Sequence, residues 1–185
     1  MIVPDAMSLA GGNREPAPSC IADLVRAQAE RSPDAVAIEA PGRAPLAYGR
    51  LYAHVRETVR RLNALGIGRG DRVALVLPNG PEMAVAFLSI AAGATCAPLN
   101  PGYREAEFDF YLSDLNAKAL VVGTGMESPA IAVARSRGIP VLTWQPVGAR
   151  EHGSVGAWEH GSVGVWQHES EERPHLPMPP HSHTP

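Results

Sequence analysis

RVALVLPNGPEMAVAFLSIAAGATCAPLN, residues 72–100, decides the fold. The apolar run at 72–77 has the length of a strand and is closed by the turn formers Pro78, Asn79 and Gly80. Asn79 with Glu82 three residues on has the spacing of a capping box, which predicts a helix starting at Asn79. Met83, Phe87, Ile90 and Ala94 then recur along one face. Ala92 and Gly93 remove bulk near the end of that helix and predict close packing there. A second short apolar run at 96–99 follows and stops at the turn Asn100, Pro101 and Gly102. Strand, helix and strand in this order form a βαβ unit, whose two strands run parallel.

Downstream the alternation continues. A helix over about 105–115 brings Phe108, Tyr111, Leu112 and Leu115 together, and a short β run follows at 119–122. Ser128 and Pro129 read as a cap with proline in the first turn, opening a helix to about Arg137. Residues 139–142 return as a strand. Upstream, Ser19 is placed to cap a helix to about Arg31, with Ile21, Leu24, Val25 and Gln28 at helical spacing. Residues 35–38 and 46–48 are extended candidates joined through Pro41, Gly42 and Arg43, a small hairpin. Leu51, Val55, Val59, Leu62 and Leu65 mark the apolar face of an amphipathic helix that Gly66 ends. Four apolar strands separated by three helices predict an α/β fold: a mainly parallel sheet layered with helices on both faces.

Apolar residues make up 45% of the 185-residue chain and aromatics only 5%, so the core must be built from Ala, Val, Leu and Ile. Residues 1–150 carry 15 basic and 14 acidic side chains, whereas 151–185 carry one and five. Neither part has the basic concentration that nucleic-acid binding needs, so no nucleic acid is expected. The longest apolar stretch is interrupted by Ser89, Thr95 and Pro98, which argues against a membrane span. Residues 1–20 lack a signal-peptide pattern, and Cys20 and Cys96 read as two free thiols, so a cytoplasmic protein is expected. The organisation predicted is a leader at 1–18, a body at 19–145 and a distinct tail at 146–185. In that tail EHGSVGAW (151–158) is followed directly by EHGSVGVW (159–166), seven identities in eight, and residues 171–185 add five prolines and three histidines. Two copies of so short a unit cannot bury a core, and low-complexity sequence is the expectation.

Isolated residues offer little chemistry. Gly66, Gly68 and Gly70 precede a strand instead of following one, so a helix stop and tight turn is expected there and a dinucleotide site is not. Lys118 is the only lysine and lacks a glycine-rich phosphate loop. His152, His160, His168, His175, His181 and His183 lie in the tail without a thiolate or scaffold to fix them, and no metal site is expected. His54 is expected to project away from the apolar face of its helix. Ser19, Ser89 and Ser113 lack a nucleophile setting. Glu105, Glu107, Asp109 and Asp114 read as a solvated helix surface. No catalytic residue, no metal ligand and no cofactor-binding residue can be assigned.

The ordered blocks say more than the single residues. LAYGRL (46–51), LGIGRGDRVAL (65–75), LPNGPE (77–82), AAGATCAPLNP (91–101) and EFDFYLSDLNAK (107–118) stand in one order and spacing. Together they resemble the N-terminal part of the AMP-forming acyl-CoA synthetase and adenylate-forming ligase superfamily, over about 19–145. The wording at 97–101 and 110–114 is similar to oxalate–CoA ligase-like members. Ala47 and Arg50 depart from the family pattern, which favours a hydroxyl residue and an acid at those places.

The resemblance implies ATP, Mg²⁺ and coenzyme A as the family's cofactors. A carboxylate attacks the α-phosphate to give an acyl-adenylate and pyrophosphate, and a thiol then displaces AMP. It also implies a Ser/Thr/Gly-rich loop ending in Pro-Lys, a ribose-binding aspartate and a C-terminal domain with a lysine, none of which these 185 residues contain. The expectation is therefore an incomplete N-terminal subdomain, inactive alone and without cofactors of its own. A noncatalytic protein-binding module, or half of a split ligase completed by another chain, remains the alternative, and the partners expected are such a complementing chain or a second copy joined through the unfinished sheet.

Overall fold

The structure is a computed structural model and describes residues 20–145. Ser19, the leader and the repeat tail lie outside the described residues. In chain order the elements are α1 (Ile21–Arg31), β1 (Val36–Ile38), β2 (Leu46–Ala47), α2 (Tyr48–Ala64), β3 (Arg72–Val76), α3 (Pro81–Ala91), β4 (Thr95–Pro98), α4 (Glu105–Asp114), β5 (Ala119–Gly123), α5 (Pro129–Ser136) and β6 (Val141–Trp144). β1 and β2 pair antiparallel as the expected hairpin, with Gly42 in the left-handed region at the turn. The other four strands form one all-parallel sheet in the order β4-β3-β5-β6.

Parallel strands are buried on both faces, so alternate residues feed two cores. Val73, Leu75, Leu77, Val121 and Leu142 pack with α1, α2 and α3 on one face. Ala74, Val76, Leu120 and Val122 pack with Phe108 and Leu112 of α4 and with Val133 and Ala134 of α5 on the other. This division follows from right-handed crossovers. The β3–α3–β4 unit moves one way along the sheet, whereas β4–α4–β5 and β5–α5–β6 move the other, so α3 lands on the opposite face.

Three helices end as their sequences dictate. Gly66, Asn116 and Gly138 have φ of 74°, 47° and 67°, the left-handed conformation that closes a helix. The Ile67 N–H reaches the Leu62 carbonyl at 2.9 Å and the Gly66 N–H reaches Asn63 at 3.0 Å, the two bonds of a Schellman motif. Asn116 with Ala117, and Gly138 with Ile139, repeat that pattern. The glycine run at 66–70 is thus a helix stop and turn, with Asp71 Oδ2 accepting the Gly68 N–H at 2.9 Å.

Several sequence expectations shift. The residue before α1 is Cys20, with no side-chain bond to the helix backbone. The capping box at Asn79 does not form. Pro81 occupies the first helical turn and moves the cap position to Gly80, and the Glu82 carboxylate is held by Arg43 from the hairpin turn. α3 buries Val85, Ala86, Ser89 and Ile90, while Met83 is half-buried and Phe87 exposed, because its inner face meets both the sheet and α2. β6 begins two residues later than expected, since Gly138 and Ile139 are spent closing α5. The α2 face is also rotated: Leu51, His54, Val55, Thr58 and Leu62 are buried and Leu65 is exposed. α1 on one side and α3 on the other bury a wider arc of α2 than a single contact would.

Gly93 fulfils its expectation: a Cβ there would lie 2.9 Å from Val59 Cγ2, so α3 approaches α2 only because that atom is missing. Among the described residues no helix is long and apolar enough to cross a membrane.

Candidate functional site

Chain order reverses between β3 and β5, which are neighbours in the sheet although the chain visits β4 between them. In open α/β sheets such a switch point, at the carboxyl ends of the strands, is where ligands bind. Here its walls are residues 77–80 leaving β3 and residues 123–126 leaving β5. Gly123 is closely packed, since a Cβ would lie 3.3 Å from Leu77 Cδ2. The Thr124 N–H and Oγ1 both donate to the Trp144 carbonyl, at 3.0 and 3.2 Å, and tie this wall to β6.

Three helices begin at this rim, and two of them, α3 and α4, carry acid in the first turn. A helix N-terminus presents free N–H groups and positive dipole, which favours an anion. At α3, Pro81 supplies no N–H and Glu82 pairs with Arg43. At α4, Glu105 and Glu107 stand in the first turn, and Glu107 Oε2 accepts the Arg104 N–H at 2.9 Å. At α5, Glu127 precedes the cap, Ser128 Oγ accepts the Ala130 N–H at 3.2 Å, and Pro129 supplies no N–H. A phosphate group would meet like charge most directly at α4, while at α3 and α5 a proline removes one of the N–H groups it would need.

The sequence candidates do not converge. Lys118 is exposed immediately before β5, at the amino edge of the sheet opposite the switch point. His54 is 6% exposed, contrary to the expectation that it projects away from the apolar face. Burial, and secondarily the Arg50 charge, lower its pKa below the usual imidazole value. Ser89 is fully buried, and its hydroxyl has no hydrogen-bond partner among the described residues. Ser113 and Asp114 are exposed. Asp109 accepts from Arg137 at 2.7 Å, which holds its carboxyl below the ordinary value. Glu107 is spent on its cap, so the four acids of α4 form no acid–base pair. Burial raises the Cys96 thiol to about 12, which removes it as a nucleophile. Among the described residues no group of three or more His, Cys, Asp or Glu side chains is placed to hold a metal. First-turn acid at α3 and α4 makes this rim a poor seat for a nucleoside triphosphate.

The first-turn acids of α3 and α4 form a feature that single residues do not reveal. Their spacing in sequence suggests a cap for Glu82 and a solvated surface for Glu105 and Glu107. The signal lies in their shared place, the first turn of the helix that follows β3 and β4.

Comparison with known proteins supplies what the rim does not. A family model described as "AMP-binding enzyme" matches residues 25–179. The oxalate–CoA ligase of Arabidopsis thaliana is 37% identical over 125 residues, covering 66% of this chain and 24% of that protein. The oxalate–CoA ligase of Saccharomyces cerevisiae is 52% identical over 58 residues, covering 31% and 11%. Among solved structures, ATP-bound MatB from Rhodopseudomonas palustris superposes with a TM-score of 0.59 at 27% identity, covering 69% of this chain and 25% of that one. The chain thus spans about a quarter or less of the length of these relatives. Its fold is that of the N-terminal part of adenylate-forming ligases. With most of its length matched by that family model, the chain belongs to the AMP-binding enzyme family.

Proposed function

We propose that this chain is the opening α/β unit of an AMP-forming acid–CoA ligase, and that its 185 residues do not activate an acid by themselves. The observation that carries the reading is the acid-furnished rim. Glu82 of α3 and Glu105 and Glu107 of α4 stand in first turns, where an α/β nucleotide site would present N–H groups to phosphate. In this reading the ATP, Mg²⁺ and coenzyme A contacts come from other parts of a complete ligase. The contribution of residues 19–145 is a rigid sheet against which those parts assemble. Residues 1–18 and 146–185 flank that unit as a leader and a separate tail. The edges of β4 and β6 carry no further strand among the described residues and are the surfaces where the rest of a ligase, or a complementing chain, would join.

The acid proposed is a small carboxylate, oxalate first, on the strength of the two oxalate–CoA ligases among the relatives. The reaction is the family's two-step one: carboxylate attack on the α-phosphate with loss of pyrophosphate, then thiol displacement of AMP. A cytoplasmic location fits both substrates.

A segment swap tests this. Residues 21–144 are grafted in place of the matching stretch of the Arabidopsis ligase, and oxalate-dependent ATP–pyrophosphate exchange is measured. Retained exchange supports equivalence of the two units. A folded graft without exchange argues that this chain has diverged from a ligase role.

A further inference from the structure

Between α1 and α2, with Ala92 after α3 among its lining residues, runs an open groove of about 440 Å³. That volume is in the range of small-molecule and anchor-residue pockets. Val55, Val59 and Ala92 give it apolar lining, Tyr52 adds an aromatic ring, and Asp23 is the one acid among its lining residues. Arg26, Arg56 and Arg60 stand on the rim. They are not equally engaged. Arg26 lies near Asp23 and Glu30 at 3.5 and 3.7 Å, and Arg60 forks onto Glu57 at 2.7 and 2.9 Å. Arg56 makes no ion pair with any described residue; its guanidinium carbon sits 5.9 Å from the centre of the Tyr52 ring. Tyr52, Arg56 and Arg60 follow one another at four-residue spacing, so one face of α2 presents an aromatic ring and two guanidinium groups. An aromatic anchor with carboxylates close behind it suits an apolar floor under a basic rim.

We propose that the segment 166–172 of this same chain, Trp166 followed by Glu169, Glu171 and Glu172, docks in this groove. The inference is independent of the ligase reading. Three facts select this occupant. Residues 151–185 carry five acids against one base, the opposite sign to the rim. The leader, by contrast, has two acids and one base in residues 1–19 and no aromatic residue. Trp158 and Trp166 are the only tryptophans outside the described residues, and Trp166 is the one with three carboxylates within six positions. The span suffices. From Gln145 to Trp166 there are 21 residues, a reach of up to about 70 Å when extended. The body at 20–145 has a radius of only about 14 Å by size scaling. A tether of this length gives an effective concentration on the order of millimolar, so a weak site is occupied.

The test uses the full 185-residue chain, uniformly ¹⁵N-labelled, and follows its indole N–H signals by NMR, with Trp166→Phe to assign the third. A synthetic peptide of residues 158–172 supplies the undocked reference. The proposal expects the Trp166 signal to be displaced from its position in the peptide. Arg56→Glu should return it to the peptide position, as should Glu169→Gln with Glu171→Gln and Glu172→Gln. Combining Arg56→Glu with Glu169→Arg should restore part of the displacement. Arg56 is exposed, so these variants keep the fold, which circular dichroism checks. A Trp166 signal identical to that of the peptide overturns the proposal. A displacement that grows with protein concentration also overturns it, since the occupant is then the tail of a second copy.

Discussion

The contact between the residues that end α3 and the side of α2 makes the sharpest prediction. Gly93 follows α3 and faces Val59 of α2. A Cβ at position 93 would lie 2.9 Å from Val59 Cγ2 and 3.1 Å from Cγ1, against an ordinary carbon–carbon contact of about 3.5–4.0 Å. Valine in a helix is confined to one favoured rotamer, so neither methyl can swing away cheaply. Gly93→Ala therefore forces the end of α3 outward and is expected to cost about 1–3 kcal/mol of overpacking. The gain from stiffening the unfolded chain, about 0.4–1 kcal/mol, offsets part of this. A net loss of about 1–2 kcal/mol remains. Val59→Ala removes both offending methyls, leaving position 59 a Cβ at 3.4 Å from the new one, an ordinary contact. In that background Gly93→Ala should be neutral or stabilising, so the coupling energy is on the order of 1–3 kcal/mol. Urea unfolding of the full chain and its three variants measures this directly. If Gly93→Ala costs the same with and without Val59, the close-approach reasoning is wrong.

The remaining predictions concern single groups. Gly66→Ala meets no atom within 4 Å, so its whole cost is the left-handed backbone at φ 74°, about 1–2 kcal/mol in urea unfolding. Asn116→Gly, at φ 47°, should be neutral or slightly stabilising in the same assay. For His54 the folded pKa lies below the unfolded value, so the unfolded chain binds more protons; stability is full above about pH 6.5 and falls as the pH drops through that window toward the folded pKa. His54→Gln should flatten the urea midpoint between pH 7 and 5. Glu57 is held down to about 2 chiefly by its hydrogen bond to Arg60, so a second, separate loss should appear only below about pH 4.5. Cys96, with its thiol raised to about 12, should resist alkylation at pH 8 in the folded chain and react fully in denaturant.

Sequence reading went furthest where one residue type has one conformational use. Gly66 and the Ser128–Pro129 pair mark helix boundaries that the structure places as expected. The apolar runs at 72–77 and 119–122 had no alternative to buried parallel strands. The errors arose where tertiary neighbours choose among local options. Asn79 and Glu82 have capping-box spacing, but Pro81 and a distant Arg43 change the outcome. α2 was assigned one apolar stripe, whereas contacts from α1 and α3 widened it and drew His54 inside. The acidic rim is illegible for a related reason: Glu82 and Glu105 are unremarkable singly and acquire meaning only once the sheet brings the starts of α3 and α4 to one edge.

ATP–pyrophosphate exchange by the purified 185-residue chain, with Mg²⁺ and a panel of small carboxylic acids including oxalate, tests the central claim most directly. No acid-dependent exchange is expected from chain that circular dichroism shows to be folded, because the phosphate and metal contacts of the reaction are proposed to come from other parts of a ligase. Acid-dependent exchange above a no-acid control would contradict it and would mean that these residues seat a nucleotide after all.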